Sequence, residues 1–225
     1  MTSKLLLGGG VLAATVIAVI WFTYSGGLQN AEVLPREASQ WHVGKGAQYY
    51  PVMQYDISTN VTKFSVKIQF LPVTNLENQT IFVQINPNTD NEINQTVPIN
   101  IVYDFNQVTN NAKPFFNILD STIFSVRDIA IENKYLVTGA VWGDVYIGAS
   151  HEEIKVTEHR KTSYKFGPAD SFVVSYKIGE KENKLWIIDN LPLPVKAEVY
   201  DLAGNLMYSY ELTSLSAPLT PGFNS

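Results

Sequence analysis

Apolar and polar residues alternate in short runs through most of the chain, and this alternation constrains the fold more than any other feature of the sequence. In the run Thr62–Leu71, every second residue from Phe64 to Phe70 is apolar. A period of two places those side chains on one face of a β-strand. Similar runs predict ten further strands, at Tyr49–Ile57, Thr80–Ile85, Val97–Tyr103, Tyr135–Val141, Val145–Ala149, Glu153–Thr157, Phe172–Ile178, Lys184–Ile188, Val195–Tyr200 and Leu206–Leu212.

One segment departs from this pattern. Between Phe115 and Arg127 the apolar residues recur at intervals of three and four, which predicts a single amphipathic helix packed on the sheet. The intervals between predicted strands are mostly too short for crossover helices, so neighbouring strands should pair antiparallel. We therefore predict a mainly β (α+β) domain, an antiparallel meander with one short helix. A curved half-barrel and a sandwich would show the same alternation.

The chain begins with an apolar run of the length that spans a bilayer. Leu5–Tyr24 is uncharged, and 20 helical residues extend about 30 Å, the thickness of the hydrocarbon core. Lys4 precedes the run, and Trp21, Phe22 and Tyr24 cluster at its far end, as residues at a membrane interface do. We predict an N-terminal transmembrane helix in residues 1–24, with the N-terminus inside and the rest of the chain outside the cell membrane.

A cleaved signal peptide is the alternative interpretation of this run, although its length favours an anchor. Gly10, Ala14 and Ala18 lie four residues apart, a spacing that can pair helices as a homodimer or with a membrane-protein partner, but small residues are also common in such helices. The remaining divisions that we predict are a stalk at 25–40, a β domain at 41–212 and a flexible tail at 213–225.

Composition and motifs exclude several classes of function. Of the 225 residues 16% are charged and the net charge is −5, so the chain has no basic stripe for nucleic acid. It has no cysteine, which excludes disulfides, thiolate metal sites and a cysteine nucleophile. The motifs G-x-S-x-G, H-E-x-x-H, G-x-x-x-x-G-K and G-x-G-x-x-G do not occur. We assign no catalytic, cofactor-binding or metal-ligating residue and expect a protein that is not an enzyme.

Three N-x-[ST] sequons lie close together in the predicted exported part. They make Asn60, Asn78 and Asn94 candidate glycosylation sites. The alternative is chance, because a sequence rich in Asn and Thr produces sequons readily.

The segment Lys184–Leu212 carries a resemblance to a known family. Its sequence, KLWIIDNLPLPVKAEVYDLAGNLMYSYEL, resembles the carboxyl-terminal meander of LolA/LppX-like lipoprotein carriers. The resemblance implies a curved antiparallel half-barrel over a helix, with a hollow that holds acyl chains. The aromatic residues that would line such an apolar cavity are Phe64, Phe70, Trp186, Tyr208 and Tyr210, although aromatic residues more often form core.

The whole chain also resembles single-span exported β-rich proteins of ammonia-oxidising archaea. The likeness lies in VGKGAQYY, FFNILDSTIFSV, Trp142-Gly143-Asp144 and SFVVSYKI. It implies an archaeal cell surface and no particular activity. Our expectation is a membrane-anchored, non-catalytic binding or interaction module of the cell envelope, beside a larger membrane complex. The alternative is a LolA-like carrier of lipid or another hydrophobic ligand.

Overall fold

The computed structural model describes residues 38–72, 79–98, 107–147 and 150–216. The predicted anchor at 1–24, with Lys4, Trp21, Phe22, Tyr24 and the Gly10, Ala14 and Ala18 face, lies outside the described residues. Within them, no helix is long and apolar enough to cross a membrane.

Twelve strands and a short helical segment form the described part of the chain. The helical segment consists of α1 (Lys113–Ser121), a 3-10 helix (Ile123–Val126) and α2 (Arg127–Ala130), and a further 3-10 turn covers Ala47–Tyr49. The strands are β1 (Gln40–Trp41), β2 (Val52–Thr59), β3 (Lys63–Phe70), β4 (Thr80–Ile85), β5 (Ile93–Pro98), β6 (Lys134–Tyr135), β7 (Val141–Ile147), β8 (Ser150–Tyr164), β9 (Gly167–Ile178), β10 (Lys181–Ile187), β11 (Lys196–Tyr200) and β12 (Leu206–Ser216).

Ten of these strands form one open antiparallel sheet. Its order is β5-β4-β3-β2-β12-β11-β10-β9-β8-β7, so β5 and β7 are the edges, while β1 and β6 pair separately. The prediction of a mainly β antiparallel domain with one short helical segment is confirmed. The described strands form a single wide sheet instead of the two stacked sheets of a sandwich, and a sheet of this width must twist and curl.

The strand register separates an inner face, which packs against α1, from an outer face. Ile57 pairs with both Phe64 and Tyr210, and the Phe64 ring lies edge-on to Phe115 of α1 at 5.1 Å. These side chains therefore belong to the inner face. Their immediate neighbours in each strand point the other way, because successive side chains in a strand alternate.

The inner face is buried in two adjoining hydrophobic clusters. The larger one joins β2–β4, β11 and β12 to Phe116 and Leu119 of α1 and to the segment between β10 and β11. The smaller one surrounds Trp41 and Trp142, whose rings stack at 5.7 Å. The Trp41 indole N–H donates a 2.8 Å bond to the Leu191 carbonyl, which ties β1 to the same segment.

The predicted helix at Phe115–Arg127 is interrupted at Thr122, where φ is −120° and ψ is −93°. The buried Thr122 hydroxyl donates a 2.6 Å hydrogen bond to the Ile118 carbonyl. Threonine offers the backbone such alternative bonds. The apolar spacing therefore located the helical segment correctly. The prediction of one continuous helix was wrong.

Several strand boundaries also differ from the prediction, the largest within the described residues being β8 and β9, which extend to Ser150–Tyr164 and Gly167–Ile178. The predicted strand Tyr135–Val141 is mostly a turn, in which Gly139 has φ +94° and the Ala140 N–H bonds to Val137 at 3.0 Å. Predicted strand Val97–Tyr103 is shifted, because β5 begins at Ile93 and the residues after Pro98 lie outside the described part. Strand β12 continues to Ser216, four residues into the predicted tail, because it pairs with β2 as far as Val52.

Two glycines near β1 provide a test of this packing. Both Gly44 and Gly46 have positive φ, but a Cβ on Gly46 would overlap the Asn190 carbonyl, whereas a Cβ on Gly44 meets nothing within 4 Å. We expect Gly44→Ala to lower the free energy of unfolding by about 1 kcal/mol, the cost of a left-handed backbone. Gly46→Ala should lower it by at least about 2 kcal/mol more, as severe steric changes do.

Urea unfolding of the two variants measures this difference. Equal losses in the two variants would contradict the close approach of Gly46 to Asn190.

Candidate functional site

The five aromatic residues predicted to line an apolar cavity do not converge on one space. Phe64, Phe70 and Tyr210 are at most 7% exposed and belong to the inner-face core, against which Tyr208 packs. Tyr210 lies edge-on to Tyr55 at 5.9 Å. The four inner-face rings are thus packed among core side chains.

Trp186 stands on the opposite face of the sheet. It pairs with Lys196, Lys196 pairs with Glu211, and Glu211 pairs with Asp56. Residues directly opposite in a ladder point to the same side. Since Asp56 neighbours the inner-face Ile57, this row belongs to the outer face. The Lys196 Nζ lies over the Trp186 ring, 4.8 Å from its centroid.

The outer face carries an extension that the sequence pattern did not predict. Strand β9 pairs with β10 only from Phe172 onwards, so residues 160–171 pair only within the β8–β9 hairpin. We call these residues the outer arm. The Lys165 Nζ at its turn lies 3.1 Å from the Asp56 Oδ2 on β2. Because β2 is four strands from β9, about 19 Å at ordinary strand spacing, the arm crosses the outer face.

A groove of about 570 Å³ lies between the tip of the arm and the outer face. Its floor comes from β2, β3, β11 and β12, and Lys165 of the arm forms part of its wall. We call it the outer groove. Its lining contains three lysines and three carboxylates: Lys63, Lys165, Lys196, Asp56, Glu198 and Glu211. The formal charges of the lining therefore cancel.

The charged groups of the groove differ in whether they have an ion-pair partner. Asp56 accepts a 2.8 Å bond from the Ser65 hydroxyl in addition to the Lys165 contact, and Lys196 lies 2.8 Å from Glu198. Lys63 and Glu211 have no ion-pair partner within the described ranges. The groove thus offers a lysine and a carboxylate without an ion pair in the described residues, and the hydroxyls of Ser58 and Ser209, which can donate and accept hydrogen bonds.

The three histidines are dispersed. The His42 ring bonds to the Val43 carbonyl, His151 lies 2.7 Å from Asp144, and His159 stacks on Phe172 at 4.1 Å. None of them lines the outer groove. In the part of the chain that the structure describes, no group of three or more His, Asp or Glu side chains could hold a metal ion.

The sequons also differ in setting. Asn60 is exposed in the turn between β2 and β3, and Asn94 is exposed on edge strand β5, where its amide donates to Glu92 at 2.9 Å. Asn78 lies outside the described residues. Glycosylation stays a prediction for all three.

A second polar pocket, of about 640 Å³, lies on the outer face beside β8, β9 and β10. Its lining includes Glu153, Lys155, Lys177 and Glu182. The buried Ser175 hydroxyl donates a 2.7 Å bond to Glu182 and holds the pKa of that carboxyl below its ordinary value. Hydrogen bonds join Thr157, Ser175 and Glu182 within this pocket. Like the outer groove, it also contains charged side chains without an ion pair in the described residues, namely Glu152, Lys177 and Glu180.

Comparison with known proteins identifies no family. Neither a protein-family model nor a curated protein matches the sequence, and the resemblance to archaeal proteins gains no match. Solved structures show distant similarity. A Parabacteroides distasonis protein classed as a lipoprotein is 11% identical over 78% of this chain and 99% of that chain, with a TM-score of 0.36. A chain of the Pseudomonas aeruginosa MucA/MucB complex is 10% identical over 79% of this chain and 55% of that chain, with a TM-score of 0.41. A third structure is a Bacteroides fragilis protein classed as exported, with a YmcC-like fold. It is 10% identical over 80% of this chain and 99% of that chain, with a TM-score of 0.40.

This chain thus spans about half of the matched chain in the MucA/MucB complex. Since all three TM-scores are below 0.5, no inference about ligands or partners is drawn from these similarities.

The hydrogen bond between Ser175 and Glu182 gives a testable pH dependence. Replacing Ser175 by Ala removes the main cause of the low pKa, so the pKa of Glu182 should rise towards its ordinary value. The pKa of Glu182 is lower in the folded than in the unfolded protein. The stability that the Ser175 bond contributes is therefore fully present above the unfolded-state pKa, and it is lost as pH falls through the folded-state pKa.

The difference in stability between wild type and Ser175→Ala should therefore be larger at neutral pH than in acid. NMR titration of the Glu182 side chain measures the pKa directly. Ser171→Ala is the matched control, since Ser171 is equally buried on β9 but bonds to the Arg160 carbonyl. An unchanged Glu182 pKa in Ser175→Ala would contradict the assignment.

Proposed function

We propose that this chain is a non-catalytic binding module, displayed outside the cell membrane by the anchor at 1–24, which binds an extended polypeptide segment of a partner protein in the outer groove. The observation that carries the proposal is the charge-balanced, hydrogen-bonding lining of that groove. The archaeal cell envelope inferred from the sequence resemblance is part of the same proposal.

The dimensions of the groove support a short peptide segment. The floor crosses β11, β12, β2 and β3, which are about 14 Å apart from first to last at ordinary strand spacing. About four extended residues cover that length. A peptide backbone presents both N–H and C=O groups, which the serine, lysine and carboxylate side chains of the groove can pair.

The packing of the inner face argues against the alternative, a carrier of lipid. Acyl chains need a dry apolar hollow, but the predicted cavity aromatics on the inner face are packed in the core with α1. The remaining predicted aromatic, Trp186, is covered by Lys196 on the outer face.

Peptide selection by the full chain in nanodiscs tests the proposal. A library of random hexapeptides is selected on the wild-type protein, and the dissociation constants of the enriched peptides are measured with variants. Lys63→Glu in the groove lining should weaken binding about tenfold or more, since it reverses a charge that faces the ligand. Lys67→Glu makes the same change on the same face of β3, outside the lining, and should leave binding within twofold.

Enriched peptides that bind both variants equally would refute binding in the outer groove. Native mass spectrometry of the same preparation addresses the carrier alternative. A stoichiometric bound lipid would favour a carrier over the proposed module.

A further inference from the structure

Large apolar side chains are exposed on two turns at one end of the sheet. Val61 lies in the turn between β2 and β3 and is 81% exposed. Leu202, Leu206 and Met207, in and beside the turn between β11 and β12, are 64%, 43% and 43% exposed. We call these four residues the tip patch. They are half of the eight exposed large apolar side chains in the described residues.

The two turns are neighbours, and a third turn lies beside them. The Asn60 N–H donates a 3.2 Å bond to the Met207 carbonyl, which joins the first two turns. In the turn between β9 and β10, a Cβ on Gly179 would lie 2.9 Å from the Leu202 carbonyl oxygen. The three turns therefore form one end of the domain, and none of the four tip-patch residues lines the outer groove.

Turn formation does not account for these side chains. The β11–β12 turn is held by Asp201, whose carboxylate accepts a 2.8 Å bond from the Asn205 N–H, and by Gly204, which has φ +80°. Turn residues are ordinarily polar or glycine. Leucine at 202 and 206 contributes exposed apolar area that the turn does not require, and several exposed apolar side chains at one end of a domain are a feature of interaction sites.

The shape and size of the tip patch favour a bilayer over a protein as its partner. The large apolar side chains exposed at this end are four, in or beside turns, whereas a stable protein interface has a well-packed apolar core within a much larger area. The boundary between headgroups and acyl chains accepts isolated apolar side chains without a complementary surface.

The charges at this end indicate which lipids would be bound. Lys63 and Lys181 are matched by Glu180 and Asp201, so the end is formally neutral. A polybasic segment needs anionic lipid, but a neutral apolar tip does not. Zwitterionic lipid should therefore be sufficient.

The tip patch lies at the opposite end of the domain from the points where the described part of the chain begins and ends, at residues 38 and 216. Val52 and Ser216 pair at the far end of β2 and β12. The Ser39 hydroxyl donates a 2.6 Å bond to Asp189, which follows β10 at that same end. Residues 25–38 can span up to about 48 Å when extended, more than the roughly 37 Å length of β12. The connection is thus long enough for the tip to reach the bilayer of the predicted anchor.

We propose that the tip patch inserts into the interface of a zwitterionic bilayer and holds the domain against the membrane. This inference uses the predicted anchor but not the peptide groove, and so the two proposals can fail separately.

The absence of cysteine makes a site-specific probe possible. Full-length Leu202→Cys, labelled with an environment-sensitive fluorophore, is reconstituted in phosphatidylcholine vesicles that contain lipids brominated in the acyl chains. Emission should shift to the blue and be quenched by the brominated lipid at least twofold. Ile131→Cys is the control, because Ile131 is 47% exposed just after α2, away from the tip.

Adding Val61→Asp and Leu206→Asp to the labelled protein should abolish the quenching while its thermal unfolding stays unchanged, since both side chains are exposed. Equal emission and quenching at positions 202 and 131 would overturn the proposal. So would a blue shift at position 202 that depends on protein concentration and is not quenched by brominated lipid, because the occupant would then be a second copy of the chain. A glycan on Asn60 of the natively produced protein would also overturn it, since the sugar would keep Val61 in water.

Discussion

The architecture depends on covering one apolar face of a very wide sheet with few other residues. Ten strands contribute inner-face side chains, and within the described residues these pack against residues 108–130, β1 and the turn that contains Ala47, residues 136–140, and the segment between β10 and β11. Large aromatic side chains make this coverage sufficient. Trp41 and Trp142 are at most 2% exposed and stack on each other, which seals the part of the sheet that α1 does not reach.

This distribution of apolar residues leaves the outer face without cover from the helical segment. When two paired strands are longer than the next strand of the sheet, the hairpin that they form can extend over the sheet. The outer arm does so, and it reaches from β9 to β2. Its contacts with the sheet include a partly exposed ion pair between Lys165 and Asp56. Such pairs contribute little stability. The arm also packs apolar side chains, since Tyr164 is buried and Phe166 and Ala169 lie against the same hydrophobic cluster.

The sequence predicted most strands with one buried face correctly, although Tyr135–Val141 is an exception, and it missed the strand residues that are polar throughout. Phe64, Val66, Ile68 and Phe70 alternate with polar residues, and β3 was correctly located. The arm residues from Arg160 to Tyr164 are polar at almost every position and were not recognised as strand. Their pairing is determined by hydrogen bonds within the hairpin, which leave no hydrophobic period.

The candidate site was less predictable for a related reason. Alternation shows which residues share a face of their own strand, but it does not show which face of one strand continues onto the next. Trp186 and Tyr210 were therefore grouped as lining one cavity, although the register places them on opposite faces. The lysines and carboxylates of the outer groove come from strands that are far apart in sequence, and no motif could have marked them.

The amino-acid sequence by itself determined the antiparallel β class, the place of the helical segment and the lack of cysteine and catalytic motifs, because these follow from local periodicity and residue type. Only the tertiary structure decided the single ten-stranded sheet, the outer arm, the groove and the grouping of four apolar residues at one end. Those features depend on strand register and on contacts between distant segments, and the free energy of such contacts leaves no local pattern in the sequence.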